Sequence, residues 1–352
     1  MKKKKIERIF SFLCLAFTLG VVLMVGLRGN ELEEMLAALG SLSPAWLLLC
    51  VLSWVLYVVA NALSMYHFVR IQGQKIGFMQ ALHAAIVGIY YCNVTPGASG
   101  GQPMKMYYLS KYGVSIGVSG SGMAVKFVVF QVLLLIVGAV MWITHAGFVQ
   151  EFAPGCTWFF WLGYIVNFFS ISMVMLMAIS QQAVRWVIER VIRIGVRFHM
   201  CKTPDESRLK WENHCRGFLE SVQQVIHRPR DLIIQCSIAL LQLFSLMAVI
   251  VAVYFALGLQ GINISSLITM GVLLYIGASY TPLPGASGAQ EGGFAMLFRD
   301  IFPNANCFVA LLLWRFFTYY LSIIAGAAVT VGESLLAVRK GSRELETHKE
   351  SN

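Results

Sequence analysis

Long apolar runs, separated by short polar or basic stretches, set the rhythm of the chain. Runs at 9–27, 44–66, 117–144, 158–179, 232–257 and 307–330 each approach the ~20 residues an α-helix needs to cross hydrocarbon. Two more apolar segments, 78–112 and 265–298, are each broken at the centre by a glycine-proline phrase, "NVTPGASGGQPMK" and "TPLPGASGAQEGG". A single span cannot use the whole of either. Between the fourth and fifth runs, Trp211, Cys215, Phe218, Val222 and Val225 recur at helical spacing, which predicts an amphipathic helix lying on the inner leaflet. The expected class is all-α: a polytopic membrane protein with about six full spans and two re-entrant helical hairpins.

Loop charges orient these elements. Lys2 to Lys5 place the N-terminus in the cytoplasm, Arg28 faces Glu31, Glu33 and Glu34 in an outer loop, and residues 181–231 hold ten Lys/Arg against six acids, which puts them inside. Residues 145–157 fall outside and the C-terminus inside. Counting sides then requires 78–112 to leave and return on the inner face, and 265–298 on the outer face. The halves 44–144 and 232–330 thereby form an inverted-topology repeat, a skeleton typical of alternating-access carriers. PGASGGQ and PGASGAQ share six of seven residues, and Lys126 follows Gln102 by 24 residues where Arg315 follows Gln290 by 25. Residues 1–335 read as one transmembrane domain with 181–231 as its linker, and 336–352 as a polar tail.

Composition agrees with this picture and removes alternatives. The 352 residues are 58% hydrophobic and 12% charged, whereas a soluble domain carries about 25% charged residues. The net charge of +10 is explained by the inside bias of basic loops, so no nucleic-acid partner is implied. Eight scattered cysteines read as small apolar fillers, not as a disulfide framework or a metal site. The basic start "MKKKKIERIF" lacks a small-x-small cleavage site and predicts a retained first helix. There is no HExxH, GxSxG or P-loop. No catalytic centre, cofactor or metal is expected, and transport would run down a gradient or couple to ions.

Candidate chemistry lies at the two phrases. Exposed backbone at membrane depth is tolerated only inside protein or beside a water-filled cavity. Pro96 and Pro284 interrupt the helices, Gly97, Gly100, Gly285 and Gly288 permit tight turns, and Ser99 and Ser287 are expected to cap the second helix of each hairpin. Those helix starts, with Gln102 and Gln290 beside them, form a candidate site for an anionic headgroup; alternatively the glycines only allow close packing. Lys126 and Arg315 lie well inside spans, where a charge faces a cavity or partner unless it snorkels. Glu291 has three readings: it favours the helix start, it pairs with Arg315, or it takes up a proton or a cationic headgroup. Lys105 is expected at the interface. His67 and His83 stand alone and read as packing residues.

The stretches "NVTPGASGGQPMKMYYLSK", "TPLPGASGAQEG" and "LLLWRFFTYYLSIIAG" together resemble the lysylphosphatidylglycerol synthase transmembrane family, which includes the membrane half of the multiple peptide resistance factor. The resemblance covers essentially residues 5–335. It implies a bacterial cytoplasmic-membrane protein that moves lysyl-phosphatidylglycerol or a related phospholipid from inner to outer leaflet and protects against cationic antimicrobial peptides. It also implies hairpins at Pro96–Gln102 and Pro284–Glu291 and a membrane-embedded basic residue at Arg315. Full-length members add a soluble lysyltransferase domain. This chain stops about 20 residues after its last run, so that reaction is expected to be absent and the lipid is left open. The implied partners are anionic or aminoacylated phospholipids, with a separate soluble synthase and a second copy of the chain as candidate protein partners. The competing reading is a membrane scaffold for such a synthase.

Overall fold

The computed structural model describes residues 35, 38–179, 227–279, 281–303, 306–333 and 335. The expected span 9–27, the amphipathic segment up to residue 226 and the tail 336–352 lie outside the described residues. Within them the elements are α1 (Pro44–Ile71), α2 (Phe78–Val94), α3 (Gly101–Lys111), α4 (Ile116–Phe152), α5 (Thr157–Ile179), α6 (Pro229–Ala256), α7 (Ile264–Ala278), α8 (Ala289–Phe298) and α9 (Asn306–Glu333). No strand occurs among the described residues. The protein is a helical multi-pass membrane protein. Helices α1, α4, α6 and α9 are long and apolar enough to cross a membrane, and α2, α7 and Thr157–Met173 are shorter apolar stretches.

Local sequence sets the helix ends. Pro44 and Pro229 sit in the first turns of α1 and α6, where a missing N–H costs nothing. Gln74 and Ser115 exchange two hydrogen bonds, Nε2 to Oγ at 3.0 Å and backbone N to Oε1 at 2.9 Å, which ties the α1–α2 connection to the start of α4. Helix α4 corrects an expectation: it runs past residue 144 to Phe152, through a distortion at His145 (φ −124°, ψ 21°). Nothing between 145 and 152 breaks a helix. Pro154 and Gly155 (φ 78°) do, so the loop expected at 145–157 shrinks to its last few residues.

Helices α1 and α6 form the central seam, with α4 against both and α5 packed on α4 and α7. The main core contains Tyr254, Phe294, Phe298, Phe302 and Trp314, and a second core sits between α1, α2 and α3. Burying a large apolar side chain is worth about 1.5–3 kcal/mol in water. The outer surface reverses that logic. Leu48, Leu52, Ile136, Ile143, Leu162, Phe169, Met173 and Ile324 are exposed, an apolar belt that suits lipid and would be a liability in water.

The segments 78–112 and 265–298 each fold as two packed helices, α2 with α3 and α7 with α8, joined by a short turn. The two turns also touch one another, which sets the place of the site.

Candidate functional site

The shared phrase folds the same way twice, then departs. Thr95 and Leu283 enter the turns extended (ψ 145° and 151°). Gly97 (φ 57°, ψ 27°) and Gly285 (φ 59°, ψ 22°) follow, and then Ala98 and Ala286 at φ 54° and 52°. Two successive left-handed residues reverse the chain, and the alanine costs about 1–2 kcal/mol in that conformation. At the serine the paths separate. Ser99 is helical (φ −64°, ψ −27°), whereas Ser287 is extended (ψ 146°) and leads into Gly288 at φ 86°.

The helix starts are not capped by the serines, which corrects that expectation. Ser99 is exposed, and the Ser287 hydroxyl donates back to the Pro284 carbonyl at 2.8 Å. Thr95 Oγ1 instead accepts from the Gly100 N–H at 2.8 Å, and Glu291 Oε2 accepts from the Gly288 N–H at 2.6 Å. A reaching side chain from the preceding or following turn does the work that adjacency suggested for serine.

Glu291 combines two of its three readings. Its other oxygen, Oε1, accepts from Arg315 Nε at 2.6 Å and lies 2.5 Å from Nη2. Nη2 also donates to the Gly285 carbonyl at 3.1 Å. Both residues are buried, 3% and 2% exposed. The guanidinium lies 4.8 Å from the centre of the Tyr319 ring, a cation–π contact. Tyr319 in turn packs where a Gly285 side chain would stand and donates its hydroxyl to the Asn93 carbonyl at 3.3 Å. It thereby bridges the two turns. A π-helical segment, Phe316–Tyr320, begins at the residue after Arg315. Such wide turns are uncommon and are found disproportionately at functional sites.

The first half is built differently. Lys126 on α4 donates to Asn61 Oδ1 on α1, and it lines a narrow cleft with Ser64, Val129, Gln235, Ile238, Ala239 and Gln242. Lys105 is 4% exposed, its stem lying flat across Gly88 of α2. Only a glycine there leaves room. Gln102 is exposed while Gln290 is buried with an unpartnered Oε1, so these matching residues do not occupy matching places. Pro96, Gly97 and Ser99 are exposed, whereas Pro284 and Ser287 are buried.

The histidines do not stand alone, and this pairing was not legible in sequence. His83 Nε2 lies 3.1 Å from Glu333 at the end of α9, with Tyr108 donating to the same carboxylate at 2.6 Å and Tyr112 bonded to His83 Nδ1 at 2.9 Å. His67 meets Asp231 at 3.4 Å and the Gln235 amide at 3.2 Å. The partners come from distant segments, so no local spacing announces them.

A bundle of apolar helices with an apolar outer belt, a buried ion pair and two broken-helix turns in contact defines an integral membrane protein. The family described as "Lysylphosphatidylglycerol synthase TM region" matches residues 11–326, and the chain belongs to that family. It is also similar to the UPF0104 membrane protein of Archaeoglobus fulgidus, 24% identical over 300 residues, which span 83% of this chain and 88% of that protein.

Proposed function

We propose that the protein is a phospholipid flippase that carries lysyl-phosphatidylglycerol or a related phospholipid from the inner to the outer leaflet of a bacterial cytoplasmic membrane. Delivery of such a lipid lowers surface negative charge and so contributes to resistance to cationic antimicrobial peptides. In this reading the α2–α3 and α7–α8 pairs are re-entrant hairpins from opposite faces, the halves 44–144 and 232–330 are an inverted repeat, and both termini are cytoplasmic.

The observation that carries the reading is the meeting of the two turns, with the buried Arg315 bonded to the Gly285 carbonyl of the second. Broken helices at membrane depth belong where a polar path must exist. Membership of a family named for lysylphosphatidylglycerol synthases supplies the lipid class.

The test is reconstitution in proteoliposomes with labelled lysyl-phosphatidylglycerol and phosphatidylglycerol, with leaflet exchange followed by access of an impermeant quencher. Exchange should be faster than in protein-free vesicles for at least one of the two lipids. Equal rates with and without protein for both would refute transport and turn attention to a scaffolding role.

A further inference from the structure

The stretch "MYYLSKY" closes helix α3 with three tyrosines around one lysine. Tyr107 and Tyr108 lie four and three residues before Lys111, on the turn that a helical side chain leans over. The Lys111 ammonium stands 4.8 Å from the centre of the Tyr107 ring and 5.0 Å from that of Tyr108. The two rings meet edge to face at 5.4 Å. Tyr108 then leads away from local sequence. Its hydroxyl donates to Glu333 Oε2 at 2.6 Å, and His83 Nε2 lies 3.1 Å from Oε1. The start of α2, the end of α3 and the end of α9 thus converge, at the end of the bundle that loop charge assigns to the inner face.

The charges of this cluster do not cancel. With its proton on Nε2, a neutral His83 donates to Glu333 and accepts from Tyr112 at Nδ1, 2.9 Å away. Glu333 then keeps its full negative charge. A carboxylate offers about four lone-pair sites. Tyr108 and His83 use two, and the Glu333 side chain is 39% exposed. Among the described residues no lysine or arginine pairs with it, in contrast to Glu291. A phenol that donates to a carboxylate also gains electron density on its ring, which favours a cation over the ring face. Tyr107 is 50% exposed and Lys111 is exposed beside it. The cluster is an open rim, so a ligand needs no enclosed cavity. It holds an ammonium on its aromatic side and none on its acidic side.

We propose that this rim binds the primary ammonium of a lipid headgroup, with Glu333 as counter-ion and the Tyr107 and Tyr108 faces beside it, and that Lys111 covers those faces when no such lipid is bound. A lysylated phosphatidylglycerol carries two such amines and phosphatidylglycerol none. The rim lies at helix ends, the headgroup depth at which tyrosines gather. This inference rests on the transport reading for its lipid class and deepens it by naming the residues that recognise the amine. Binding is measured separately from movement.

The experiment uses the full chain in dodecyl maltoside, a detergent with neither amine nor phosphate. Acyl-labelled lysyl-phosphatidylglycerol and phosphatidylglycerol are the probes, and lysinamide is the soluble competitor. The lysylated lipid should bind at least about tenfold more tightly than phosphatidylglycerol. Glu333→Gln should weaken binding of the lysylated lipid by about tenfold, the loss of a charge-assisted contact, and leave phosphatidylglycerol unchanged. Tyr107→Leu should weaken it by about threefold, and Lys111→Met, which bares the ring faces, should tighten it by about threefold. Size-exclusion profiles report folding, and the two exposed positions keep the test decisive if Glu333→Gln fails to fold. Equal affinity for the two lipids would overturn the proposal, as would binding of the lysylated lipid indifferent to all three substitutions. Weaker binding of both lipids by Lys111→Met would also overturn it and mark Lys111 as a phosphate contact. Displacement by lysinamide at lipid-like concentrations would overturn it in favour of a site for soluble amines. Amine-selective binding without leaflet exchange would refute transport and leave this site intact. Leaflet exchange by a protein that binds both lipids alike would do the reverse.

Discussion

Removing one member of the Glu291–Arg315 pair should be far more damaging than removing both. Arg315 reaches Glu291 through two nitrogens at 2.6 and 2.5 Å and adds a third contact to the Gly285 carbonyl. With 3% and 2% of these residues exposed, water cannot replace a lost partner. Arg315→Met leaves an uncompensated carboxylate, and Glu291→Gln leaves an uncompensated guanidinium while its amide oxygen still accepts from Gly288. Breaking a buried pair in this way costs about 3–5 kcal/mol. The double variant, in which an amide faces a thioether, loses the pair but strands no charge. Its deficit should be smaller than the sum of the singles by at least about 2 kcal/mol, a coupling of the size seen for groups in direct contact. Unfolding in mixed detergent and SDS, followed by tryptophan fluorescence, measures all four proteins. Single variants within about 1 kcal/mol of wild type, or strictly additive losses, would refute the reasoning. They would mean that the guanidinium and carboxylate each satisfy themselves elsewhere.

Two further outcomes follow from the packing of the turns and the charge of the loops. Gly285→Ala should destabilise more than Gly97→Ala: both glycines have φ near 60°, but an added carbon meets Tyr319 at 2.1 Å in one and open space in the other. The second substitution should cost about 1 kcal/mol from backbone conformation alone, and equal losses in the same unfolding assay would contradict the packing. Single cysteines at positions 33 and 205 test the orientation set by loop charge: an impermeant maleimide added outside intact cells should modify the first and miss the second. The opposite pattern would invert the topology.

What could be read from sequence was what depends on local pattern. Periodicity and length located the four helices that are long and apolar enough to cross a membrane, and the repeated PGASG phrase located both turns, because proline breaks a helix and glycine admits the left-handed turn that follows. Partnership was less accessible. That Glu291 meets Arg315 was one of three readings, since the contact requires α8 and α9 to pack together at one register. The burial of Lys105 was not legible because it depends on Gly88, a bare patch on a different helix. The serine caps failed for a related reason: the phrase fixes φ and ψ as far as the alanine, and beyond it the paths diverge under the pull of Thr95 in one half and Glu291 in the other. His83 and Glu333 sit near opposite ends of the described chain, and only the folded bundle brings them together.

The π-helical segment at Phe316–Tyr320 has a mechanical consequence. A wide turn stores one residue more than the helix on either side requires. Moving that surplus along the helix re-indexes only the residues it passes, by about 100° and about 1.5 Å each, at the expense of rearranging hydrogen bonds in a single turn. Upstream, Arg315 is clamped to Glu291 and Gly285. Within the wide turn Tyr319 donates to the Asn93 carbonyl, and downstream of it Ser322 accepts from the Trp54 indole at 2.9 Å. The slack therefore lies between a part of α9 anchored to the second turn and a part anchored to α1. Helix α9 thus carries one residue of slack between the contact Arg315 makes with the Gly285 carbonyl and the one Ser322 makes with Trp54.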